Sequence, residues 1–207
     1  MAGQMRPPSF SISRPHSADS RDEIFLFSQF PATLPAFVFS VVGLAAGDCM
    51  EGELGQRVAE ALVAQSAAPT GRPVIVAGSP GSGKSRLLRA LAVRHTWPLL
   101  NTNLALAQVL VAVPEAERAY RVGDAMVDAA DEAAGTSGVL LIDDIELLFT
   151  SALKVNPLKM LARIARNRAI AAVWPGGWDG TELSWAIAGH PEHRRWPAER
   201  AMVFAVI

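Results

Sequence analysis

The chain of 207 residues is half apolar, carries charge on only 19% of its residues and has a net charge of −1. These values exclude a low-hydrophobicity disordered chain and a globally basic nucleic-acid binder. The one cysteine, Cys49, excludes an internal disulfide framework and any multi-cysteine metal site, and suits a reducing cytoplasmic location. Residues 1–23 are rich in Pro, Ser and Arg, with little to bury. From Ile24 to Gly47 no side chain is charged, a length sufficient to span a bilayer. Pro31, Pro35, Ser28, Gln29, Thr33 and Ser40 oppose a membrane span, and Asp19, Asp22 and Glu23 beside the apolar run oppose a signal peptide. Residues 1–50 are therefore expected to form a poorly ordered or loosely attached apolar extension, with packing on the domain as the alternative. Residues 51–207 are expected to form the functional domain. Met50 opens an amphipathic helix and is an alternative start of translation.

Pro73 to Ala77 is a short apolar run suited to a strand buried on both faces. It leads into Gly78-Ser79-Pro80-Gly81-Ser82-Gly83-Lys84-Ser85, which matches G-x-x-x-x-G-K-[ST]. A helix follows, beginning near Lys84 and Arg86 and carrying Leu87, Leu88, Leu91 and Ala92 on one face. Gly81 and Gly83 let backbone N–H groups wrap an anion, and the helix start adds its positive dipole end. Lys84 is expected to meet the β- and γ-phosphates of ATP, and Ser85 to ligate Mg²⁺.

Pro98 to Asn101 predicts a short second strand, followed by a helix capped by Asn103 and carrying Leu104 to Val113. A further helix has Val122, Ala125, Met126, Ala129 and Ala133 on one face, and Asp124, Asp128 and Asp131 on another. Val139 to Asp143 is a strand of four apolar residues followed by an acid, the Walker B pattern, with Asp143 placed to hold Mg²⁺. Asp144 stands where an acid would orient the attacking water, and Glu146 is a second candidate. Glu146 also suits a helix N-terminus without any catalytic role.

Asn156-Pro157 predicts a cap and first turn for a helix burying Leu158, Leu161, Ile164 and Ala165. Ala169 to Trp174 and Ala201 to Ile207 complete the set of strands. Strands alternating with helices predict a P-loop NTPase fold: a three-layer α/β/α arrangement on a five-stranded, mainly parallel sheet, with no helical lid domain. The extra strand between the two motifs suits the additional-strand class, which includes AAA+ and RecA-like proteins. Asp143-Asp144 looks like the initiator and helicase-loader branch of AAA+. Where those proteins carry a polar sensor residue after the fourth strand, Trp174-Pro175-Gly176 stands instead.

Arg166 and Arg168, before the fourth strand, stand roughly where ring-forming relatives keep an arginine finger for a neighbour's γ-phosphate. A nucleic-acid or partner patch and a solvated basic face are the alternatives. His190 and His193 have no evident third partner for a metal. Four tryptophans crowd the last 34 residues, to stack on bases or to fill a core or partner interface.

Arg166-Asn167-Arg168, Trp174-Pro175-Gly176-Gly177-Trp178-Asp179-Gly180 and Gly189-His190-Pro191-Glu192, together with the Walker A loop and Asp143 to Phe149, resemble the BrxF family of small P-loop proteins from type 3 BREX anti-phage systems. The resemblance spans roughly Gly52 to Ile207. It implies an accessory ATPase in a bacterial defence complex, with other defence proteins as partners, a homo-oligomer as an option and any DNA contact indirect. A nucleotide-gated adaptor without significant hydrolysis, and a helicase-loader-like ATPase, are the alternative functions.

Overall fold

The computed structural model describes residues 48–206. The expectation for the extension at 1–50 thus falls almost wholly outside the described residues. Helix α1 (Asp48–Ala67) comes first, followed by β1 (Val74–Gly78), α2 (Lys84–His95), β2 (Leu99–Asn101), α3 (Thr102–Leu110), α4 (Glu115–Ala134) and β3 (Val139–Asp143). After two short 3₁₀ turns come α5 (Pro157–Ile164), β4 (Ala169–Val173), β5 (Glu182–Trp185), β6 (Arg194–Pro197) and β7 (Met202–Val206).

Five strands form one sheet in the order β2-β3-β4-β1-β7, with every neighbouring pair parallel. The alternation of side chains along each strand explains the layers. Ile75, Ala77, Leu140, Ile142, Ile170 and Ala172 face one side, packed with residues of α3, α4 and α5. Val74, Val76, Val139, Leu141, Ala169 and Ala171 face the other, against Val58 and Leu62 of α1 and Leu87, Leu88 and Leu91 of α2. A strand buried on both faces needs an unbroken apolar run, and β3 and β4 are buried along their whole length. The fold is the three-layer α/β/α P-loop fold that the sequence predicts.

Several local expectations shift. The residue that caps α3 is Asn101, whose Oδ1 accepts from the Leu104 N–H at 2.9 Å, rather than Asn103. A strand-terminal Asn with extended backbone serves as N-cap directly, so no loop intervenes between β2 and α3. On α4 the buried alanines are Ala125, as expected, with Ala130 and Ala134, while Ala129 and Ala133 are only partly covered. Asn156 caps α5 as expected, accepting from the Lys159 N–H at 3.0 Å with Pro157 in the first turn.

Between β4 and β7, where no apolar run or periodicity predicts an element, lies a second, two-stranded antiparallel sheet, in which Leu183 pairs with Trp196. Among the described residues no helix follows α5. Trp174 and Trp196 are buried around Phe149, edge-on to it at centroid distances of 5.0 and 5.5 Å, and Trp185 stacks on it at 4.6 Å. Three of the four clustered tryptophans thus fill a core. No helix among the described residues is long and apolar enough to cross a membrane.

Candidate functional site

Because the sheet is parallel, the C-terminal ends of all five strands lie at one edge, where ligands of open α/β sheets bind. The register sets Asn101 beside Asp143 there. Gly78 ends β1 at the same edge, and the loop from Ser79 to Gly83 turns into α2. Gly81 and Gly83 have φ of +80° and +93°, a region that only glycine enters at little cost, and a side chain at Gly81 would meet open space. A Cβ on Gly78 would stand 2.5 Å from the Val206 carbonyl, so the loop can leave β1 this close to β7 only with glycine there. The N-terminus of α2 has no side-chain cap.

Lys84 is 7% exposed, and its Nζ donates to the carbonyls of Gly78 (2.7 Å) and Ser79 (2.8 Å). Burial pushes the ammonium pKa down, with the carboxylates of Asp143 and Glu146 acting against that. Ser85 Oγ donates to Asp143 Oδ1 at 2.9 Å, which also accepts the Asp144 N–H at 3.0 Å. Asp143 is 3% exposed, and its Oδ2 has no hydrogen-bond partner; Arg89 Nη2 stands 3.7 Å away. A buried carboxylate oxygen left in this way is costly unless a cation completes it. The chemistry of this donor set, a hydroxyl and a carboxylate, suits Mg²⁺, and the glycine loop with its uncapped helix start suits the phosphates of ATP.

Asp144 has a φ of +53°, a left-handed conformation that aspartate tolerates better than most residues and that turns its side chain back toward α3. Its Oδ2 accepts from Asn101 Nδ2 at 2.6 Å. Desolvation raises the Asp144 pKa; repulsion from Asp143 and Glu146 adds to the rise and Arg89 opposes it. Glu146 Oε2 accepts from Asn103 Nδ2 at 2.9 Å, while Asn103 Oδ1 accepts the Leu147 N–H at 2.8 Å. Asn101, Asn103 and Arg89 are the site residues that sequence reasoning missed. A polar residue ending the strand next to β3 is the signal that could have found Asn101.

The structure therefore brings Gly78 to Ser85, Asp143, Asp144 and Glu146 to one edge, with Arg86 exposed on the first turn of α2. It does not bring Arg166 and Arg168 there. Both precede β4 and lie at the opposite edge of the sheet. Arg168, its side chain 12% exposed, donates to Asp131 Oδ1 at 2.6 Å, while Arg166 lines an open cavity with Arg72 and Arg200. The two histidines bond locally: His190 Nδ1 accepts from the Glu192 N–H, and His193 Nδ1 lies 3.1 Å from the Ala186 carbonyl.

No family model matches the chain, and no curated protein matches it either. Among solved structures, that of C. elegans PCH-2 is similar at a TM-score of 0.40 and 18% identity. The match covers 75% of this chain but 42% of that one, so this chain spans less than half the length of PCH-2. A likeness so distant carries no functional argument, and the fold rests on the strand order and register given above.

Proposed function

We propose that the protein binds Mg-ATP and hydrolyses it to ADP and phosphate, slowly or only with partners. The observation that carries this reading is the meeting of Ser85 Oγ with Asp143 Oδ1 at 2.9 Å beside the buried Lys84, with the second oxygen of Asp143 lacking a hydrogen-bond partner. When bound, Mg²⁺ would neutralise the charge of the phosphates. Ser85 and Asp143 are the residues that would hold it. Lys84 exchanges its two loop carbonyls for phosphate oxygens, and backbone N–H groups from Gly81 to Ser85 donate to the phosphates. Arg86 adds positive charge on the adjoining helical turn.

Phosphoryl transfer asks the protein mainly to position and neutralise. Asp144 is the candidate to orient the attacking water: Asn101 fixes one carboxylate oxygen and leaves the other for that bond. Glu146, held by Asn103, is the second candidate. Lys84→Ala is expected to lose ATP binding while keeping its thermal transition, as read by calorimetry. Unchanged ATP affinity in that variant would refute the site.

The resemblance of Arg166 to Arg168, Trp174 to Gly180 and Gly189 to Glu192 to the BrxF family supports placing the protein as an accessory component of a BREX phage-defence complex, with other defence proteins as partners and DNA contacted only indirectly. A gene neighbourhood with a methyltransferase, a large ATPase and a phosphatase-like protein tests that placement. One observation favours a second reading. At the tip of β4 the Trp174 indole is buried and its Nε1 donates to the Ser184 carbonyl at 2.8 Å, so this strand end offers packing where a polar sensor would stand. A nucleotide-gated adaptor, switched by ATP binding alone, needs no such sensor. Multiple-turnover phosphate release by the purified protein, alone and with partners, separates the two.

A further inference from the structure

A cavity of about 390 Å³ opens beside the phosphate loop, with Ser79 and Pro80 on one wall, Gly176 and Trp178 on another, and Ile187 and Val206 closing it. It shares Gly78 to Pro80 with the loop, so anything that fills it adjoins whatever the loop holds. Its side chains are almost wholly apolar: among them only the Ser79 hydroxyl and the Trp178 indole N–H are groups capable of hydrogen bonding. Trp178 remains 37% exposed and Ile187 80%, in contrast to the three tryptophans packed around Phe149. Such a site takes a flat, partly apolar group attached to an anion.

The wall that carries Trp178 is built in advance. A Cβ on Gly176 would fall 1.7 Å from the Ser184 carbonyl oxygen, so the Pro175-Gly176-Gly177 turn lies directly on β5. The Ser184 N–H donates to the Gly177 carbonyl at 2.8 Å, and Trp178 bridges to Leu183. Asp179 Oδ1 then accepts from the N–H groups of Thr181 and Glu182 at 2.9 and 2.8 Å and pins the turn that follows. A ring carried on backbone that is already ordered demands little further backbone ordering when a ligand stacks on it.

We propose that Trp178, with Pro80 and Ile187, holds the nucleobase of a nucleoside triphosphate whose phosphates lie on the Gly78–Ser85 loop. The proposal rests on the nucleotide-binding reading above and extends it: the segment between β4 and β7 supplies the base site. Isothermal titration of the full chain in Mg²⁺ with ATP, and separately with inorganic tripolyphosphate, tests both at once. Trp178→Ala is expected to weaken ATP roughly tenfold, the scale of one base–aromatic stack, and to leave tripolyphosphate affinity unchanged. Trp178→Phe is expected to restore most of the ATP affinity. Should Trp178→Ala fail to fold, Trp178→Leu keeps apolar cover without the stack and is expected to weaken ATP selectively as well. Equal loss for both ligands, or ATP affinity unchanged while the wild type binds both, overturns the base site and leaves the phosphate site standing. A wild type that binds neither ligand overturns both.

Discussion

β3 and β4 are neighbours in register, Ile142 beside Ala172, yet they end in opposite ways. The tip of β3 carries Asp143 and Asp144, with Glu146 just beyond, and includes a buried carboxylate oxygen without a hydrogen-bond partner. The tip of β4 carries a buried indole whose N–H is fully used. One strand end holds charge at a cost to the fold; the other strengthens the fold and offers no charge. Equivalent places at a sheet edge can thus be given to ion chemistry or to packing, and stability and activity should respond to different strands.

The largest expected effect lies on β3. Asp144→Asn should cut turnover by roughly 10²- to 10⁴-fold while ATP still binds, measured by phosphate release beside calorimetry. If Glu146→Gln produces the loss instead, the water-orienting role belongs there. On β4, Trp174→Ala should lower unfolding free energy by about 3–5 kcal/mol in urea titrations, because the indole fills the space between Phe149 and Trp196. Its effect on nucleotide affinity should be far smaller than that of Lys84→Ala. An intermediate test reverses the sign: Asp143→Asn should hold or raise the melting temperature, by roughly 1 kcal/mol of stability, while weakening Mg-dependent ATP binding. A fall in stability comparable to that of Trp174→Ala would remove the contrast between the strands.

The smallest effect is one of pH. Asp179 has its pKa lowered from 3.8 to about 2, chiefly by the backbone N–H groups of Glu182 and Thr181. A depressed carboxylate stabilises the fold above its unfolded value, and the contribution is lost as pH falls through the folded one. Acidification from about 4 toward 2 should therefore loosen the turn before β5, and Asp179→Asn should remove that step from the Trp178 fluorescence or amide-exchange profile. Asp144 has the opposite sign. Its raised pKa means that a contribution present below 3.8 is lost as pH rises through the folded value, so its ionisation works against the fold.

Much of the framework could be read from the sequence, because buried parallel strands need uninterrupted apolar runs and Val139 to Asp143 or Ala169 to Val173 fit nothing else. The glycine loop was equally plain, since Gly81 and Gly83 sit at backbone angles that restrict the choice of residue. The β5–β6 pair stayed hidden. Glu182 to Trp185 and Arg194 to Pro197 are only four residues each, and their pairing is non-local, held by Trp196 against Leu183 and by Arg195 against Asp179 and Glu182. The cap of α3 shifts from Asn103 to Asn101 for a related reason. Both can cap a helix, and only the approach of β3 decides which one does and which meets the acids.

The pairing of β1 with β7 also sets an order on biogenesis. β1 emerges from the ribosome before β7, so one side of the strand that launches the glycine loop stays unpaired until β7 follows. Val206 helps both to close the cavity beside that loop and to cover Gly78. A nascent chain therefore cannot complete the wall that Val206 supplies beside the loop before β7 has been released.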